Sequence, residues 1–202
     1  MSILYNPRFI QSFVTVLVSA CLLVACTSTS RPGVVGVERS QFMMISAAQI
    51  ERISASSFEQ QAKAAQKKNV LITSGPQYER LKTIANRLIP QTAVFRDDTH
   101  SWNWGLQLID SPLVNATCAP GGRITFYSGI INKLNLTDDE IAAIMGHEIA
   151  HAVREHGRER VSQAMAQNVI ANVALAAGAG SAQSIDAANQ IMQYVLVLPN
   201  SR

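Results

Sequence analysis

Residues 137–160 read TDDEIAAIMGHEIAHAVREHGRER, and this stretch narrows the possible folds more than any other part of the chain. Thr137 followed three residues later by Glu140 is a capping box, in which the threonine hydroxyl accepts from an orphan amide while the glutamate reaches back, so a helix start is marked. Ile141, Ile144, Met145, Ile149 and Ala152 then supply an apolar helix face. On an uninterrupted helix His147 and His151 lie about 40° apart around the axis and one turn apart along it. The fold must bury one flank of this helix and leave open the flank where two imidazoles meet.

His147-Glu148-Ile149-Ala150-His151 is the HExxH pattern. Two imidazoles at this spacing can share one Zn²⁺ ion, which polarises a carbonyl and makes water acidic enough to react at neutral pH. Glu148, about 100° round the helix from His147, lies beside the ion rather than on it, the position of a general base. Peptide-bond hydrolysis is the reaction class this implies. His156 falls nine residues after His147, on the opposite face of a helix running unbroken to Arg160, and is not expected to be a ligand. Glu155 shares the ligand stripe but lies roughly 12 Å along the axis from His147, so a surface or interhelix ion pair is expected of it. His100 is expected in solvent, and Cys118 as a small buried hydrophobe.

The third ligand is not legible in the motif. A metzincin would need Gly at 154 and His at 157, whereas the chain has Arg154 and Gly157. After Glu159 no glutamate occurs, and Asp186 is the only acidic residue.

Around this helix the pattern predicts an α+β domain. A helix over about 46–68 is capped by Ser46, and one over 76–88 starts at Pro76 and ends before Pro90. Three short strands follow over 102–109, 113–118 and 123–127, the last two joined by turn residues at 119–122, and a short helix spans 128–134. A three-stranded, largely antiparallel sheet is expected.

Residues 9–25 carry no charge and follow Arg8, a secretory signal pattern whose most apolar part, 13–25, is shorter than the ~20 residues of a spanning helix. Leu23-Val24-Ala25-Cys26 resembles the bacterial lipobox, in which the cysteine is acylated and becomes the first residue of the mature protein. Cys21 fits the same pattern less well, because cutting there would leave residues 22–25 exposed beside the anchor. Residues 26–45, rich in Ser, Thr, Gly and Pro, are expected to be a flexible tether, and 46–202 the domain proper. Thr27 in place of Asp after the cysteine points to the periplasmic face of the outer membrane. Net charge is +3, from 17 basic and 14 acidic residues without a block of five like charges, so no nucleic-acid partner is implied. Three cysteines cannot build a disulfide framework or a cysteine-rich zinc module.

Taken together, Asn115-Ala116, Pro120-Gly121-Gly122, Ser128-Gly129, Asp139-Glu140 and His147-Glu148-x-x-His151 resemble the HtpX-type gluzincin metallopeptidases, in particular their periplasmic lipoprotein branch. The resemblance covers the chain from about residue 46 onward. It implies a zincin-like, mostly helical domain with His147 and His151 as zinc ligands and Glu148 as base. It further implies that the strand at Asn115 and Ala116 holds substrate in extended form. Misfolded envelope proteins are the implied substrates, since strand addition reads backbone more than side chains. In that family the third ligand lies in a Glu-x-x-x-Asp helix beginning after a segment like 198–202, so the chain is expected to be incomplete at its C-terminus. The alternative is a non-catalytic envelope lipoprotein that holds unfolded clients on the same edge strand.

Overall fold

In the computed structural model, residues 26–27, 29–32 and 39–176 are described. The expected signal segment 1–25 and the segment 198–202 lie outside them. The elements run β1 (Cys26–Thr27), β2 (Gln41–Phe42), α1 (Ala47–Lys67), β3 (Leu71–Ile72), α2 (Pro76–Leu88), β4 (Gly105–Ile109), β5 (Ala116–Ala119), β6 (Arg123–Tyr127), α3 (Ser128–Leu134), α4 (Asp138–Val153) and α5 (His156–Ala176). Two 3₁₀ turns, Ile89–Val94 and Asp97–Ser101, join α2 to β4. No described helix is long and apolar enough to cross a membrane.

The main sheet has four strands in the order β3-β4-β6-β5 and is mixed, which corrects the expected three-stranded, largely antiparallel sheet. β5 and β6 form the antiparallel hairpin announced by the turn residues, with Ala119 opposite Arg123. β4 joins the other side of β6 in parallel, Gly105 opposite Arg123 through Ile109 opposite Tyr127. The additional strand, β3, is a two-residue antiparallel edge on β4. Trp102 and Trp104 stand before the strand, packed on the core, with Trp104 Nε1 donating to the Thr99 carbonyl at 2.9 Å.

Alternation along the strands separates the two faces of the sheet. Leu108, Ile124 and Phe126 enter one apolar core with Leu81 and Ile84 of α2, Ile130 and Ile131 of α3, and Ile141, Met145, Ile149 and Ala152 of α4. Gln107 and Thr125 belong to the other face, where Gln107 Nε2 donates to Thr125 Oγ1 at 2.8 Å and also bonds Gln61 of α1. Gln61 donates in turn to the Tyr127 hydroxyl at 2.9 Å. The helix carrying the two histidines thus packs on the apolar face, and α1 lies across the polar one. A smaller cluster of Ile45, Ile50 and Val161 joins the start of α1 to α5.

The described part of 26–45 makes contacts within itself and with the 3₁₀ turns. Cys26–Thr27 pairs with Gln41–Phe42, the Arg31 amide donates to the Phe95 carbonyl at 2.8 Å, and the Arg31 guanidinium pairs with Asp97 at 2.6 Å.

Candidate active site

The helix start predicted at Thr137 is present with both halves of its capping box: Glu140 N donates to Thr137 Oγ1 at 3.4 Å, and Thr137 N donates to Glu140 Oε2 at 2.8 Å. Burial of Ile141, Met145, Ile149 and Ala152 sets the rotation of α4. That rotation leaves His147 exposed, His151 half-buried and Glu148 buried at 8% exposure.

His147 Nε2 and His151 Nε2 are 3.1 Å apart, with the rings nearly perpendicular. Two imidazole nitrogens at about 2.0–2.1 Å from one tetrahedral Zn²⁺ would stand roughly 3.3 Å apart, so these two nitrogens fit a shared ion. Among the described residues no group of three or more His, Cys, Asp or Glu side chains is arranged to hold a metal ion. Among the described residues the site thus offers a pair of nitrogen donors, His147 Nε2 and His151 Nε2.

Burial moves the titrating groups in the directions such a site uses. The Glu148 carboxyl is raised from its ordinary value by desolvation, against the opposing pull of His147 and Arg160, the direction that strengthens it as a proton acceptor. His151 is lowered to about 4 by burial and then by the positive ends of His156, His147 and Arg160, so it is neutral at physiological pH, the form that ligates metal. A cavity of about 190 Å³ opens beside Glu148 and His151, bounded by α1, by β5 and β6, and by Arg160 of α5. Arg160 Nε is buried there with no hydrogen-bond partner among the described residues.

β5 is one of the two edge strands of the sheet and packs on α4, so the substrate-binding strand expected at Asn115 and Ala116 adjoins the histidine helix. The two residues have different parts. The Asn115 carbonyl accepts from Tyr127 N at 3.3 Å, which commits its backbone to β6. By antiparallel alternation Thr117 and Ala119 also turn their backbone groups to β6, while Ala116 and Cys118 turn theirs to the open edge. Cys118 is a buried free thiol, as expected, and desolvation followed by the nearby Glu148 charge raises its pKa.

The expectation of one helix through Arg160 is overturned. α4 ends at Val153, Glu155 adopts a left-handed backbone with φ of 53°, and α5 starts at His156. The break carries neither Gly nor Pro, the usual signals for such a stop. His156 consequently folds back instead of lying on the far face, and its Nδ1 stands 2.6 Å from His151 Nδ1. Glu155 is not a surface group but an interhelix one, buried at 6% exposure and paired with Arg96 at 3.2 Å and Arg158 at 3.1 Å. His100 is exposed, its Nδ1 against the Asp97 carbonyl.

The model of peptidase family M48 matches residues 76–202. The chain is 26% identical over 172 residues to the metalloprotease LoiP of Escherichia coli, an alignment covering 84% of this chain and 63% of LoiP. It is 36% identical over 61 residues to the mitochondrial metalloendopeptidase OMA1 of Arabidopsis thaliana, and 41% identical over 61 residues to metalloendopeptidase OMA1 of Bos taurus, each covering 30% of this chain. The matched segment spans 12% and 11% of those two mitochondrial proteins. No solved structure matches.

Proposed function

The chain belongs to peptidase family M48, and from that premise we propose that it is a zinc-dependent endopeptidase acting on misfolded proteins of the cell envelope. The observation that carries the reading is the convergence of His147 Nε2 and His151 Nε2 at 3.1 Å with the carboxyl of Glu148 buried beside them. Bound zinc would supply a Lewis acid that polarises the scissile carbonyl and lowers the pKa of water toward ~7.

The chain's own residues do the rest. Glu148 takes a proton from the attacking water and returns it to the departing amine, and its raised pKa suits both halves of the exchange. The open edge of β5 offers the backbone groups of Ala116 and Cys118 to an extended peptide, which aligns the scissile bond with little demand on side-chain identity. Acylation at Cys26 would hold the enzyme on the periplasmic side of the outer membrane, where exported proteins that fail to fold are the substrates at hand.

Glu148→Gln tests the mechanism. The variant should bind zinc as the wild type does and lose casein cleavage, because the ligands stay while the base is removed. Cleavage surviving at more than a tenth of the wild-type rate would overturn the assignment of Glu148.

A further inference from the structure

His151 uses both ring nitrogens. Nε2 faces His147 Nε2 at 3.1 Å, and Nδ1 faces His156 Nδ1 at 2.6 Å, with the His151 and His156 ring centroids 4.8 Å apart. A neutral imidazole carries one proton, so a lone pair at Nε2 requires the proton at Nδ1. The group facing Nδ1 must then accept a hydrogen bond, and His156 Nδ1 can do so only with its own proton on Nε2. His156 cannot be a third ligand at the ion shared by the two Nε2 atoms, because it meets His151 on the far side of the ring.

The position of His156 is fixed independently of any ion. Glu155 holds its left-handed turn through the buried pairs with Arg96 and Arg158, Gln41 Nε2 donates to the Arg154 carbonyl at 2.9 Å, and Glu159 on the next turn of α5 pairs with Arg39. Groups from β2, from Arg96 between the two 3₁₀ turns and from α5 thus converge on Arg154 and Glu155, the two residues directly before His156. A helix that simply continued would leave His151 Nδ1 to solvent.

We infer that His156 is a positioning residue for zinc binding: it accepts the Nδ1 proton of His151, and so locks that imidazole in the tautomer and orientation that aim the Nε2 lone pair at the metal. Outer partners of ligating histidines are ordinarily carboxylates, carbonyls or water, and losing one typically weakens metal affinity by about 10–100-fold. Here a second imidazole takes that part. The inference rests on reading His147 and His151 as the zinc ligands.

The test compares His156→Phe, which keeps the ring's bulk and loses the acceptor, with His156→Asn, whose Oδ1 can occupy the place of Nδ1. Zinc affinity is measured on the full chain by competition with a chromophoric chelator. His156→Phe should bind about 10–100-fold more weakly, while His156→Asn should stay within about threefold of wild type by the same logic of a retained acceptor. An unchanged affinity in His156→Phe, or an equal loss in both variants, would overturn the inference. If neither variant folds, ¹⁵N shifts of the histidines in the metal-free wild type decide: a His151 proton on Nδ1 supports the arrangement, and one on Nε2 refutes it. That spectrum needs no zinc, so it separates failure of the positioning role from failure of the peptidase reading, which a wild type without zinc affinity would reveal.

Discussion

Gly129 is a position where adding a single methyl group should destabilise the fold through contact with backbone alone. It opens α3 directly after β6, and a Cβ built on its backbone would lie 2.5 Å from the Pro112 carbonyl carbon and 2.6 Å from the carbonyl oxygens of Pro112 and Leu113. Favourable contacts fall at about 3.5–4.0 Å, so in Gly129→Ala the segment just before β5 must retreat by roughly 1 Å. That segment is tied to the start of α3 by Gly129 N donating to the Ser111 carbonyl at 2.8 Å and Ser111 N donating to Ser128 Oγ at 3.0 Å. Overpacking costs about 3 kcal/mol at the upper end of its usual range, and loosening the two bonds adds about 1 kcal/mol. The better helix propensity of alanine offsets about 1 kcal/mol. A net loss of about 3 kcal/mol corresponds to a fall in Tm of about 6–12 °C for a domain of this size. Urea denaturation followed by circular dichroism reads it as a lower midpoint with unchanged slope. Gly146→Ala is the matched control, because a Cβ there meets nothing within 4 Å, and inside α4 it should stabilise by about 1 kcal/mol. A Gly129→Ala protein within about 0.5 kcal/mol of wild type, the range of an ordinary surface change, would refute the steric argument.

Two further outcomes follow from the geometry and the sequence. Because the pKa of His151 is lowered from 6.5 to about 4, the unfolded chain binds a proton between those values that the folded chain refuses. Stability of the metal-free protein should therefore rise with pH across that window and be lost as pH falls through it. Urea midpoints at pH 7 and pH 5 should differ less in His151→Gln than in wild type, and an identical pH dependence in the two would remove the basis for that shift. Cys26→Ala should move the protein from the membrane to the soluble periplasmic fraction, and unchanged fractionation would count against acylation there.

Elements specified by local chemistry were readable from the residues. α2 and α3 occupy the expected spans, α1 starts at its Ser46 cap, and α4 opens on the capping box at Thr137. Elements specified by tertiary contacts were not. Leu71–Ile72 is too short to show alternation and is a strand only because it lies against Leu108 and Ile109. The parallel pairing of β4 with β6 depends on which side of the hairpin β4 takes, a choice that periodicity does not encode. The end of α4 is the most instructive case. Arg154, Glu155 and His156 carry no helix-stop signal, and the break depends on Arg96, more than fifty residues earlier, pairing with Glu155. In the candidate site, the approach of His147 to His151 was evident from spacing, while the contact between His151 and His156 was concealed by extrapolating a helix through that break.

The placing of β6 between β4 and β5 also sets an order of assembly. β4 and β5 precede β6 in the chain and do not pair with each other, so β5 has no partner strand, and β4 only the two residues of β3, until β6 arrives. A chain emerging from its N-terminus would carry β5 unpaired, and β4 paired only along β3, until residue 127 had followed. Until then their apolar side chains, Leu108 and Cys118 among them, would lack the β6 neighbours that help bury them and would be open to aggregation. Changes that slow closure of the tight turn at 120–122 should therefore lower the yield of folded protein more than they lower the stability of the molecules that succeed.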